Sequence, residues 1–132
     1  MALPNGSGGY QVGAGGTEPL FFPQGAPTAL TAAATATAAQ LVNGLFTFNG
    51  TAGNLTLPTV ALLEAAYPSM ADKVDSAFDF YVINIDAGTD DVTVAVGTGW
   101  TLVGAGQVDN GTSGHFRARK TGDGSWTCYR VS

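Results

Sequence analysis

The sequence has few charged residues, a negative net charge and no long apolar run. The last two features argue against two classes of partner. Charged residues are 11 % of the 132 residues, less than half of the roughly 25 % usual in soluble domains. The net charge of -5 argues against nucleic-acid binding, because phosphates need a basic surface. No run approaches the about 18 apolar residues of a membrane span. We therefore expect no nucleic-acid or membrane partner, and a largely neutral surface suited to contact with other protein.

The sequence also has only one cysteine and one histidine, which leaves little for catalysis. Cys128 alone cannot form an intrachain disulfide, and this fits synthesis in a reducing cytoplasm. No basic region followed by an apolar stretch is visible after Met1, so no signal peptide is expected. Cys128 and His115 both fall in predicted strands, where a buried cysteine is more often packed than reactive, and zinc would lack ligands. We predict no enzymatic activity, catalytic residue, metal site or cofactor.

Aromatic and β-branched residues are abundant instead, and they are densest at residues 76–96. This composition predicts strands at 76–85 and 91–96, joined by a hairpin loop of turn-forming residues. Both faces of the first strand are apolar, with Phe78, Phe80 and Val82 on one side and Tyr81, Ile83 and Ile85 on the other. One face should pack on the core, and the other should meet a second layer, a neighbouring subunit or a partner. The alternative is burial of both faces within one sandwich, which periodicity does not distinguish.

Shorter strands separated by Gly, Asn and Asp turns surround this pair. They are predicted at 44–48, 55–57, 100–103, 115–120 and 125–131. A helix is predicted at 58–67, because Pro58 suits a first turn and Pro68 stops the element. Residues 29–43, rich in alanine and threonine, are left open between helix and strand. The pattern favours an all-β fold, an antiparallel β-sandwich or barrel with one short helix.

Residues 1–28 differ in composition from the rest, with seven glycines and four prolines. Glycine raises the entropy lost on ordering, and proline blocks helices and central strands. We therefore predict an extended N-terminal arm before a domain at 29–132. The arm carries spaced apolar anchors at Tyr10, Val12, Leu20, Phe21 and Phe22. The arm is interpreted as lying on another subunit or a larger surface; the alternative is a loose terminus with Phe21 and Phe22 tucked onto the domain's own flank.

Acidic and basic residues are separated along the chain. Four of the five basic residues, Arg117, Arg119, Lys120 and Arg130, lie near the C-terminal hairpin, after most of the acidic ones. This asymmetry fits either neighbours in an assembly or an acidic partner, or a solvated sheet face. Asp86, Asp90 and Asp91 could supply oxygens to a calcium ion. Their spacing is not that of an EF-hand, so we interpret them as turn residues.

Five sequence blocks within residues 31–132 together resemble a family of tailed-bacteriophage virion proteins. The blocks are LPT at 57–59, FDFYVIN at 78–84, GTGWTLVG at 97–104, FRAR at 116–119 and YR at 129–130. The resemblance implies a small jelly-roll-like β domain, similar to capsid cement (decoration) proteins, which sit as trimers on the head lattice. Such domains also occur within fibre and tail proteins. This chain shows no long fibre shaft or coiled coil, which favours a cement.

The residues and the resemblance together predict a structural virion protein rather than an enzyme. We expect a homotrimer that binds the major capsid protein on the outer surface of the capsid and stabilises its lattice. The expected subunit interface is Tyr81, Ile83 and Ile85, and the expected partner contacts of the arm are Tyr10, Leu20, Phe21 and Phe22. The alternative is a receptor- or glycan-binding module of a tail fibre, which would need exposed aromatics such as Trp100 or Trp126. A calcium-dependent adhesin would rest on the 86–91 loop alone.

Overall fold

The computed structural model describes residues 23–132, which form two mixed β-sheets and three short helices around one core. The six-stranded sheet contains, in spatial order, β1 (Thr28–Leu30), β3 (Leu45–Phe48), β5 (Ala77–Asn84), β9 (Ser113–Gly122), β10 (Ser125–Arg130) and β7 (Trp100–Val103). The four-stranded sheet contains β2 (Ala34–Thr35), β4 (Gly53–Thr56), β6 (Val92–Ala95) and β8 (Gln107–Val108). The helices are α1 (Ala38–Asn43), α2 (Val60–Ala66) and α3 (Pro68–Ala71).

From β1 to β8 consecutive strands alternate between the two sheets. Up to β6, each return to a sheet follows a complete turn of the chain, so β1, β3 and β5 run parallel, and so do β2, β4 and β6. At the far edge of the larger sheet, β7 runs parallel to β10. Antiparallel pairing joins β5 to β9, β9 to β10 and β6 to β8. The prediction of an all-β, purely antiparallel sandwich is therefore wrong, and so is the jelly-roll-like arrangement with one helix that accompanied it.

The loop between β5 and β6 explains the error. The sequence predicted a hairpin there, but β5 and β6 belong to different sheets, and the loop crosses between them. Buried Asn84 holds this crossing: its Nδ2 donates to the carbonyls of Asp90 (2.9 Å) and Val108 (3.1 Å), and its Oδ1 accepts from the Asp86 N–H. Turn-forming residues occur in hairpins and in crossovers alike, so composition alone does not separate the two.

Two of the helices, α1 and α2, begin at side-chain caps that the sequence contains. Thr37 and Gln40 form a reciprocal capping box at the start of α1, a signal present in the stretch that was left open. Gly44, the first residue of the strand predicted at 44–48, instead ends α1 with a φ of 80°, a conformation that favours glycine. The predicted helix at 58–67 is present as α2, capped by Thr59. No helix in the described part of the chain has the length and apolarity needed to cross a membrane.

The core lies between the two sheets and is rich in aromatic rings. Phe80 and Phe116 stack at 5.1 Å between ring centroids, and Phe46 meets Phe80 edge-on at 6.3 Å. Trp126 lies 5.8 Å from Trp100, with its ring fully buried. Burial alternates along β9, so Phe116 and Ala118 point into the core. The opposite side chains of these same strands form the outer face of the six-stranded sheet.

Candidate functional site

The outer face of the six-stranded sheet carries an apolar strip along β5 and the residue that follows it. We call Tyr81, Ile83 and Ile85 the apolar strip; their exposed fractions are 44 %, 36 % and 54 %. Leu45 of β3 lies beside Tyr81 in the parallel ladder, and Val131 follows β10 on the same face, 52 % exposed. The predicted alternation of β5 is therefore present, and its second face is not buried by the described part of the chain.

A charged cluster continues the same face beside Tyr81. Asp79 accepts a hydrogen bond from Arg117 Nε at 2.6 Å and from Arg117 Nη2 at 2.9 Å, and it contacts His115 Nε2 at 2.9 Å. The His115 ring stacks on Tyr81 with 4.5 Å between centroids. The hydrogen bond from Arg117, followed by that from His115, lowers the pKa of Asp79 to about 2. We call Asp79, His115 and Arg117 the Asp79 cluster.

The basic residues that the sequence grouped at the C-terminal hairpin have separate roles. Arg119 pairs with Asp75 at 2.9 Å and donates to the Tyr129 hydroxyl at 3.1 Å, and these hydrogen bonds raise its pKa. Arg130 donates to backbone carbonyls at positions 105 and 107. Lys120 points into the core. The group is therefore not a free basic patch on the described surface.

Lys120 and Glu64 form an ion pair that the sequence analysis missed. Lys120 is 2 % exposed, and its Nζ lies 2.5 Å from Glu64 Oε2, which also accepts from Trp126 Nε1 at 2.9 Å. The hydrogen bond from Lys120 lowers the pKa of Glu64 despite its partial desolvation. This pair attaches α2 to the inner face of the last hairpin. The alternation of β9 contained the signal, since Lys120 has the parity of Phe116.

Cys128 is a core residue rather than a nucleophile. Its side chain is fully buried, and desolvation raises the pKa of the thiol to about 12, which leaves little reactive thiolate. His115 lies on the opposite face of the neighbouring strand, because Cys128 pairs with Ala118 and both point inward. The two residues are therefore not a nucleophile and its base.

The carboxylates of the 86–91 loop bind backbone and side-chain donors of the protein itself. Asp86 Oδ2 accepts from the N–H of Gly88 at 2.8 Å and more weakly from that of Asp90 at 3.3 Å. Asp91 accepts from the N–H of Asn110 at 3.0 Å and from Gln107 Nε2 at 2.9 Å. Within residues 23–132, no group of three or more His, Cys, Asp or Glu side chains is arranged to hold a metal ion. These contacts fit the turn interpretation of the loop.

The arm residues assigned to partner binding, Tyr10, Leu20, Phe21 and Phe22, lie outside the described residues. Just after them in the sequence, residues 24–26 are fixed to the end of α1. Gln24 Nε2 donates to the Asn43 carbonyl at 2.9 Å, the Gly25 N–H donates to Asn43 Oδ1 at 3.0 Å, and Asn43 Nδ2 donates to the Ala26 carbonyl at 3.0 Å. Residues 24–26 are therefore fixed beside Asn43 at the end of α1.

No protein-family model, curated protein or solved structure matches this chain. The likeness to phage virion proteins stays an expectation drawn from the sequence blocks, and its jelly-roll-like fold is not the one observed.

Proposed function

We propose that this protein is a non-enzymatic structural component of a phage particle, a cement protein on the outer surface of the capsid. It would act as a homotrimer that binds the major capsid protein and stabilises the lattice. The observation that carries the proposal is the apolar strip of Tyr81, Ile83 and Ile85, exposed on the outer face of the large sheet. The sequence blocks that resemble virion proteins supply the class of particle.

The apolar strip and the Asp79 cluster together have the composition of a protein interface. Tyrosine and arginine are enriched among residues that dominate binding energy, and contiguous exposed apolar surface marks interaction sites. Arg117 is already paired with Asp79, so its burial by a neighbour would not leave an isolated charge. A closed trimer is one way to cover such a strip on every copy.

The arm would supply a second contact with the capsid, in addition to the apolar strip. Its apolar anchors, Tyr10, Leu20, Phe21 and Phe22, provide binding energy of about 1.5–3 kcal/mol for each side chain fully buried. Three arms joined through one trimer raise the effective concentration of every contact. Weak individual contacts then suffice to hold neighbouring capsid subunits together.

The two tryptophans give the glycan-binding alternative no support. Trp100 is 8 % exposed and donates through Nε1 to the Pro58 carbonyl at 2.8 Å. Trp126 is buried and donates to Glu64. Neither ring forms the open aromatic platform that a sugar-binding site of a tail fibre would use, which favours the cement over that alternative.

The experiment compares the wild-type protein with Tyr81→Asp by sedimentation equilibrium at micromolar concentration. We expect a trimer for the wild type and dissociation for Tyr81→Asp, because a charge in the strip would be buried without a partner. The matched control is Leu62→Asp on α2, where the side chain is 61 % exposed and lies off the sheet, so trimers should persist. A monomeric wild type, or equal behaviour of the two variants, would refute the interface.

The proposed location on the capsid is tested by adding purified protein to phage heads that lack it and imaging the particles by electron cryomicroscopy. We expect density on the outer capsid surface. Density on the tail alone would favour the tail-fibre alternative, and absence of binding to any part of the particle would refute the proposal.

A further inference from the structure

The first half of β5 has an open edge. β5 spans Ala77–Asn84, but β3 pairs only with its second half, from Tyr81 onward. On the other side, β9 pairs along the strand from Ala77 to Ile83. Among residues 23–132, no strand pairs with Ala77–Phe80 on the β3 side. An unpaired strand edge is a template for an added strand.

A groove lies at this edge. It is lined by Ala77, Phe78, Asp79, Tyr81 and Arg117. Phe78 belongs to the inner parity of β5 and packs on Trp126 at 5.8 Å, whereas Tyr81 and Asp79 belong to the outer parity. Residues from both faces line one groove because no strand pairs with this part of the edge, although Gly44 lies against the Asp79 carbonyl at its end.

The open edge also presents backbone donors in a known direction. The Tyr81 N–H points toward the β3 side, where it donates to the Gly44 carbonyl at 2.8 Å. Successive N–H groups of a strand alternate in direction, so the Asp79 N–H points to the same side. An extended segment placed there can accept from Asp79 and lay apolar side chains against Phe78 and Tyr81.

The start of the described chain lies next to this groove. Asn43 holds Gln24, Gly25 and Ala26. The next residue, Gly44, approaches β5 so closely that a Cβ on it would lie 3.0 Å from the Asp79 carbonyl oxygen. The chain that precedes Gln24 therefore begins beside the open edge.

The distance that the chain can span from Gln24 indicates which segment can occupy the groove. Residues 20–22 lie two to four positions before Gln24, so they stay within about 7–14 Å of it at full extension. Leu20, Phe21 and Phe22 are apolar, and phenylalanine favours strands. Pro19 and Pro23 flank them in the sequence, and proline restricts the backbone to conformations compatible with an extended segment. Tyr10, fourteen positions before Gln24, can extend to about 48 Å.

We propose that the groove at the open edge of β5 binds residues 20–22 of the same chain as a short added strand. Phe21 or Phe22 packs between Phe78 and Tyr81, and the segment's backbone pairs with the edge of β5. This inference rests on the proposed function and revises one part of it. Leu20, Phe21 and Phe22 fix the base of the arm on the domain instead of binding the capsid, and Tyr10 is left as the arm's contact with the capsid.

A cysteine pair tests the location and the chain identity of the occupant. Phe22→Cys with Ala77→Cys should form a disulfide within one chain on mild oxidation at low micromolar concentration. The native Cys128 does not compete, because its thiol is buried. The matched control pairs Phe22→Cys with Val103→Cys, which lies on β7 at the far edge of the sheet and should not cross-link within the chain. Cross-links only between chains would assign the groove to a second copy, and no cross-link at Ala77 would refute the docking.

Hydrogen exchange at Asp79 separates this inference from the proposed function. In the full chain the Asp79 amide should exchange at least about tenfold more slowly than in the double variant Phe21→Ser/Phe22→Ser, because the variant removes the side chains that hold the added strand. Tyr10→Ser is the control and should leave the rate unchanged. Equal rates in the wild type and the double variant would overturn the docking. A chain lacking residues 2–19 should keep the slow exchange but lose binding to heads, so the two proposals can fail separately.

Discussion

Two adjacent rungs of the β5–β9 ladder show how one strand pair serves both the core and the surface. On the inner rung Phe80 faces Phe116, and on the next rung Tyr81 faces His115. Both pairs stack, at 5.1 Å and 4.5 Å between ring centroids. The inner pair is buried, whereas Tyr81 is 44 % exposed. The same cross-strand geometry therefore stabilises the core on one side and leaves an exposed aromatic side chain on the other.

The ion pairs repeat this contrast. On the inner face Lys120 is buried against Glu64, and on the outer face Arg117 pairs with Asp79 in contact with water. A buried charge without its partner is costly, whereas an exposed pair contributes little to stability. Substitutions on the inner face should therefore act on folding, and substitutions on the outer face should act on assembly. All stability measurements need one fixed protein concentration, because the proposed assembly would stabilise the folded chain.

The largest effect is expected at the inner aromatic rung. Phe80→Ala should lower the free energy of unfolding by about 3–5 kcal/mol, because it removes a fully buried ring and leaves a cavity beside Phe116. Urea denaturation followed by circular dichroism measures this loss. Phe80→Leu is the control and should lose less than about 1.5 kcal/mol. A loss for Phe80→Ala no larger than that of the leucine variant would mean that the ring is not a core residue.

The next effect is expected at the inner ion pair. Glu64→Ala should lower the free energy of unfolding by about 2–3 kcal/mol, because it leaves the buried Lys120 ammonium unpaired. The loss stays below the fully buried range because the Glu64 side chain keeps 17 % exposure. The double variant Glu64→Leu/Lys120→Met should recover most of the loss in the same urea experiment. If the double variant is as unstable as the single one, packing of α2 rather than charge explains the effect.

A smaller effect on folding is expected on the outer rung. Tyr81→Ala should change the free energy of unfolding of the monomeric unit by no more than about 1 kcal/mol, since it removes a half-exposed cross-strand contact. Near-ultraviolet circular dichroism should show an intact core. A loss comparable to that of Phe80→Ala would erase the distinction between the two faces.

The sequence predicted the strands and their faces better than their connections. Strict alternation around Phe80 and Tyr81 separated the two faces of β5, because side-chain direction follows a period of two. Both faces are apolar, so periodicity alone did not show which one is buried. The sheet order was not predictable in this way. Whether the 86–91 loop turns back or crosses to the other sheet depends on where Asn84 finds its backbone partners, and these lie as far along the chain as Val108. Long-range partners leave no local pattern.

The candidate site was likewise only partly predictable. Tyr81, Ile83 and Ile85 follow from periodicity, but the pairing of Asp79 with Arg117 depends on the register between β5 and β9. The open edge of β5 was hidden for the same reason, since it depends on how far β3 extends along β5. Lys120 was grouped with the surface cations because its charge suggested exposure. Its position on the inward parity of β9 was the stronger indicator.

The smallest effect is expected at the outer ion pair, and it is confined to acid. The pKa of Asp79 is about 2 in the folded chain, below its ordinary 3.8, so the ionised carboxylate stabilises the fold above about pH 4. That contribution is lost as the pH falls from about 4 toward 2. It should amount to no more than about 1 kcal/mol, because the Arg117 side chain is 54 % exposed and water screens the pair.

The measurement compares the wild type with Asp79→Asn by urea denaturation between pH 6 and pH 2. The wild type should be more stable at pH 6, and the difference should shrink toward zero near pH 2. Arg117→Gln should reduce the same acid-dependent difference, because the Arg117 hydrogen bond is the main cause of the lowered pKa of Asp79. The pKa of Glu64 is lowered by its hydrogen bond from Lys120, so the stabilising contribution of Glu64 is also lost in acid. This loss is the same in all three proteins and cancels from the comparison. Parallel pH curves for the wild type and Asp79→Asn would show that the outer pair contributes nothing to folding, which would leave assembly as its only possible role.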